Sequence, residues 1–175
     1  IQRDEIPEFT TPEKVTVRVI SGESHGVSGA MHRPADQWPT DPLYLDLHFV
    51  PGAGAFSQPL PSVNNAFVYV YRGAVEVLDE SGAATAVALH RMAILSNTGD
   101  GVTLRAQGSA GARALLIAGR PLREPIAQHG PFVMNTREQL IQAVQDFHNG
   151  RLGWNDRFAA AAAYNFGFGS SPAPH

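Results

Sequence analysis

Leu43-Tyr44-Leu45-Asp46-Leu47-His48-Phe49 alternates without a break, an apolar residue at every second position. A period of two marks a β-strand with one face in a core, because successive side chains point to opposite sides of a sheet. Leu43, Leu45, Leu47 and Phe49 are expected on the core face, and Tyr44, Asp46 and His48 on the other. Similar runs lie on both sides. Lys14–Val19 alternates in the same way, and Ala66–Tyr71, Ala74–Leu78, Thr85–Leu89, Met92–Leu95, Val102–Leu104 and Ala114–Ala118 read as further strands. Turn signals separate them, among them Arg72-Gly73, Ser81-Gly82 and Gly99-Asp100-Gly101. Short strands at this spacing predict an antiparallel sandwich or barrel.

Helix enters late. Thr136-Arg137-Glu138-Gln139 has the form of a capping box, and Leu140, Ile141, Val144 and Phe147 follow as one apolar stripe, with Gly150 as the stop. A second helix is expected from about Asp156 to Tyr164, through the alanine run, followed by a small polar tail. Residues 1–13 read as a linker or extended arm, and Gly22–Gly29 and Pro51–Pro61 as loops.

A chain of 175 residues suffices for one domain with a sizeable core. A net charge of -3 carries no electrostatic footprint for nucleic acid. With no cysteine, disulfides, zinc–thiolate sites and thiol chemistry are excluded, and a cytoplasmic location is the expectation. No apolar run has the length of a membrane span.

Gly54, Leu60, Ser62, Ala66 and Gly73 are separated by five, one, three and six residues. This frame resembles the first cupin motif, Gly-x5-His-x-His-x3-4-Glu-x6-Gly, whose two histidines and glutamate hold a divalent metal inside a small barrel. Both framing glycines are in register, but Leu60, Ser62 and Ala66 stand in the ligand positions. The histidine of the second motif falls on Gly101 or Val102. Aliphatic side chains have no useful metal affinity and one serine would not hold a metal, so this chain is expected to carry no metal and no catalytic residue of its own.

Longer segments are more specific. Gly22-Glu23, Gly26-Val27-Ser28-Gly29, Leu43-Tyr44-Leu45-Asp46, Asn65–Val70, Gly119-Arg120-Pro121-Leu122, Glu124-Pro125-Ile126 and above all Gly130-Pro131-Phe132-Val133-Met134-Asn135-Thr136 resemble, in order, the carboxy-terminal cupin of the pirin family. The resemblance covers roughly residues 5–153. It implies a mainly β, double-sheet jelly-roll barrel over 14–153 with one or two carboxy-terminal helices, and an alanine-rich helix and tail over 154–175. It further implies that this is the second half of a two-cupin protein. The absent amino-terminal cupin would bind Fe(II), and the intact protein could be a quercetin 2,3-dioxygenase-like enzyme. The expected partner is that amino-terminal domain or a second copy of the chain, because apolar surface left uncovered favours association. A stand-alone small-molecule-binding cupin is the other reading.

Within the chain, Tyr44, Asp46, His48 and Asn64 are the candidates for a polar pocket. The simpler reading of the His48 face is a solvated outer sheet surface. His25 and His32 could join His48 at a metal, but their spacing matches no local ligand motif. Phe67, Tyr69 and Tyr71, alternating with Ala66, Val68 and Val70, read as a strand with both faces in a core.

Overall fold

The computed structural model describes residues 1–31 and 39–152. The chain forms two compact units, Ile1–Leu122 and Arg123–His175. Strands of the first unit are β1 (Glu8–Thr10), β2 (Val15–Ser21), β3 (Glu23–Ser24), β4 (Val27–Ser28), β5 (Leu43–Phe49), β6 (Phe56–Pro59), β7 (Asn65–Arg72), β8 (Val75–Leu78), β9 (Ala84–Val87), β10 (Met92–Ile94), β11 (Gly101–Ala106) and β12 (Ala112–Gly119). One sheet has the order β1-β2-β5-β12-β7-β10 and another the order β6-β11-β8-β9, with every described pairing antiparallel. They share one core in a jelly-roll cupin fold.

Period-two alternation places that core. Val15, Val17 and Val19, Leu43 through Phe49 at alternate positions, Val68 and Val70, and Ala114 and Leu116 bury one face of the larger sheet. Phe56, Val75, Val102 and Leu104 meet them from the smaller sheet. Deleting one of these buried Leu or Phe side chains to alanine costs about 2–5 kcal/mol. Phe67, Tyr69 and Tyr71 are only half-buried, on the opposite face from Ala66, Val68 and Val70. The strand therefore has one core face, and its aromatic side chains lie on the outer face of the sheet.

Three stretches that read as arm or loop carry strands. Glu8–Thr10 pairs with β2, so part of the segment read as a linker or extended arm forms the sheet's first strand. Gly22–Gly29 contains the β3–β4 hairpin, whose turn residues His25 and Gly26 both have positive φ. Within Pro51–Pro61 lies β6, masked in sequence by its polar alternation. Gln58 is buried there because its amide accepts from Ser24 Oγ at 2.7 Å and donates to the carbonyls of Glu23 and Pro59. A buried amide is tolerable only when so satisfied.

Gly73, one of the two framing glycines, is required twice over. Its φ is +68°, and a Cβ would lie 2.6 Å from the Gly111 carbonyl oxygen. Gly54 has no such backbone demand; a Cβ there would meet Glu13 Cβ at 3.1 Å.

The second unit holds the hairpin of β13 (Ala127–His129) and β14 (Phe132–Met134), turning at Gly130, and helix α1 (Arg137–His148). Thr136 caps α1 through the expected box, its hydroxyl accepting from Gln139 N–H while Gln139 Oε1 accepts from Thr136 N–H. The buried positions of α1 are Leu140 and Ala143, one turn apart, whereas Ile141 is exposed. Ile141 lies a third of a turn from Leu140, which takes it off the buried stripe. Among the described residues no helix is long and apolar enough to cross a membrane. The expected helix at Asp156–Tyr164 lies outside them.

Candidate functional site

The cupin frame converges in space. Leu60 follows β6, Ala66 lies in β7 and Gly101 opens β11, and all three line one cavity of about 20 Å³ with Ser62 and Asn64. That is room for about one water. Leu60, Ala66 and Val102 are buried in the core, and Ser62 is exposed. An Fe(II) ion needs several imidazole or carboxylate donors, whereas these positions offer aliphatic carbon, one hydroxyl and the Asn64 amide. Residues and group do not fit. Among the described residues no three His, Asp or Glu side chains gather as a metal-binding group.

Tyr44, Asp46 and His48 lie on the outer face of β5 and do not line this cavity, which Asn64 does. They do not form an open solvated surface either. The side chains of Asp46 and His48 are only 15% and 14% exposed. Tyr71 Oη donates to Asp46 Oδ1 at 2.6 Å, and His48 Nε2 lies 3.0 Å from both Asp46 Oδ2 and Tyr71 Oη. Since β12 runs between β5 and β7, the Tyr71 side chain crosses a whole strand to reach them. Arg18, cross-strand from Asp46 on β2, stands 3.9 Å from Asp46 Oδ2 and donates from Nε to Glu8 Oε2 at 2.6 Å.

The chemistry of this cluster follows from its charges. Burial, reinforced by the Asp46 carboxylate, raises the Tyr71 phenol well above its usual range, so it stays a neutral donor. The hydrogen bond from Arg18 holds the Glu8 carboxyl below the usual carboxylate range. Every member has a partner, and the cluster ties β1, β2, β5 and β7 together across the outer face. Tyr71 and Arg18 carry no local sequence signal for it; only the strand order brings them to Asp46.

His25 sits in the β3–β4 turn, its ring 5.5 Å from Phe9 and 5.4 Å from Phe56, with Nδ1 3.0 Å from Ser24 Oγ. Its neighbours are thus different from those of His48, and His32 lies outside the described residues.

A second, larger concavity opens where the two sheets part beside β10. It has a volume of about 1060 Å³, an apolar floor that includes Val77, Leu95 and Val102, and a rim bearing Asp79, Glu80 and Asp100. The Ser81 hydroxyl and the Ala83 and Ser81 backbone N–H groups hold the Asp79 carboxyl below its usual range, so it is ionised at neutral pH.

The family model for the pirin C-terminal cupin domain matches residues 44–153. The chain belongs to the pirin family. Human pirin is 39% identical over 154 residues, covering 88% of this chain and 50% of the human protein. A pirin-like protein of Caulobacter vibrioides is 40% identical over 153 residues, covering 86% and 50%. Among solved structures, a quercetin 2,3-dioxygenase from Acinetobacter baumannii superposes with a TM-score of 0.71 at 30% identity, covering 87% of this chain and 49% of that one. This pirin-family chain spans about half the length of the curated relatives it matches.

Proposed function

We propose that this pirin-family chain acts as a non-catalytic, partner-binding cupin in a two-cupin arrangement, in the cytoplasm, with the chemistry in an amino-terminal companion that holds Fe(II). The observation that carries the reading is the cavity at the cupin ligand positions. Leu60 and Ala66 are buried there, and no imidazole or carboxylate stands at these positions to hold a metal. The half-length coverage of the relatives supports a companion of similar size. Iron analysis and quercetin turnover test the proposal. The chain by itself is expected to hold no stoichiometric iron and to turn over no quercetin; either one found at this chain overturns it.

A second reading concerns the companion rather than this unit. Similarity to the Acinetobacter baumannii quercetin 2,3-dioxygenase favours an intact protein with dioxygenase activity on a flavonol-like substrate. Quercetin consumption by a two-cupin form, lost when the companion's histidines are replaced, is the expected result.

A further inference from the structure

We infer that the free edge of β10 and the groove beside it form a strand-addition site for an extended, basic peptide. The inference goes beyond the proposed function and does not depend on it.

The backbone of β10 supplies the first half. β10 pairs with β7 on one side only, and among the described residues no strand pairs with its other edge. Leu95 N–H donates to the Ala66 carbonyl and Val70 N–H to the Arg91 carbonyl. In an antiparallel ladder hydrogen-bonded and non-bonded pairs alternate. Ala93 therefore also turns its polar groups toward β7, and Met92 and Ile94 turn theirs to the open edge. Their side chains are 55% and 78% exposed. Met92-Ala93-Ile94 carries no proline, charge or bulge, and a length of three residues is the one edge-blunting device it has. Unpaired edge groups of this kind are what a recognised peptide strand satisfies.

The groove supplies the second half. It lies along the inner side of this edge, and its lining includes Ala93 and Ile94 themselves. The apolar floor suits alternate aliphatic side chains of an added strand. Asp79, Glu80 and Asp100 line it, and among the described residues no Lys, Arg or His does. Among the described residues neither Glu80 nor Asp100 has an ion-pair partner. Because successive side chains of an added strand point to opposite faces, a peptide whose groove-facing positions hold both basic and aliphatic residues matches hydrogen-bonding edge, floor and rim together, whereas an acidic one would meet uncompensated like charge.

The test is fluorescence anisotropy of the whole chain with a labelled peptide in which valine and lysine take turns at every second position and serine fills the positions between. Saturable binding is expected, with the same peptide carrying glutamate in place of lysine inert. Ile94→Pro removes an N–H that faces the open edge and leaves the β7 ladder intact, so it should weaken binding about tenfold or more, as should E80K combined with D100K. Ile94→Val keeps the N–H and should bind as the parent does. Methylating alternate amides of the peptide checks the same contact without altering the protein, and should abolish binding. No saturable binding, equal affinity for the glutamate peptide, or indifference to amide methylation overturns the inference. A dimer in sedimentation that Ile94→Pro dissolves, with no peptide bound, would also overturn it, since the edge would then belong to a second copy.

Discussion

Tyr71 Oη donates to Asp46 Oδ1 at 2.6 Å across an intervening strand, joining β7 to β5 over the backbone of β12. The bond is charge-assisted and half-buried, which places it among the stronger side-chain hydrogen bonds. Tyr71→Phe removes the donor and keeps the ring. It should destabilise the chain by about 1–2 kcal/mol, as read from the urea midpoint. Combined with His48→Ala, the losses should be non-additive, because both residues bond the same carboxylate.

The same pair sets an alkaline limit. The folded-state value of Tyr71 is raised by burial and by Asp46, while the unfolded phenol titrates near its ordinary value of about 10. Below that pH the contribution is fully present. Above it the unfolded chain gives up its proton first, and stability falls as pH rises. Urea midpoints measured from neutral pH into the alkaline range should fall less steeply for Tyr71→Phe than for the parent.

Glu8 acts at the opposite end of the scale. Its carboxyl is lowered by the hydrogen bond from Arg18, so its contribution is present above the ordinary carboxylate range and is lost as the pH drops through the lowered folded value. Because Glu8 is 47% exposed, solvent screening keeps the effect below about 1 kcal/mol. Glu8→Gln should lower the neutral plateau of a thermal-stability profile slightly and converge on the parent at acid pH, so that the acid limb is less steep.

Thr136→Ala deletes one half of the capping box. The cost to α1 should be about 1 kcal/mol, seen as faster amide exchange at the start of the helix. Amides of β5 and β12 should exchange as before, since the change lies in the second unit.

Two glycines with similar φ should separate in their tolerance of alanine. Gly82 has φ +81° with open space around its Cβ direction, so Gly82→Ala carries only the backbone cost of about 1–2 kcal/mol. Gly73 has φ +68° and adds the 2.6 Å approach to the Gly111 carbonyl oxygen. Gly73→Ala should lower the melting temperature much further than Gly82→Ala, or abolish soluble folded protein.

Much of this molecule is decided locally, and the sequence by itself determined that part. Alternation along 43–49 marked both the strand and its core face, because the period of a strand is a property of the chain alone. The Thr136–Gln139 box likewise located the start of α1 from residues within one turn. The resemblance of Gly54–Gly73 to the first cupin motif implied that Leu60, Ser62 and Ala66 face a common point, and they line one cavity. Other features needed the fold. β6 was hidden because Gln58 is buried by partners distant in sequence, Ser24 and Glu23. Tyr71 reaches Asp46 only because β12 inserts between β5 and β7, and the open backbone of Met92 and Ile94 exists only because nothing described pairs with β10 there. Which face a side chain takes is local physics; which partner waits on that face is decided by strand order, a property of the whole assembled sheet.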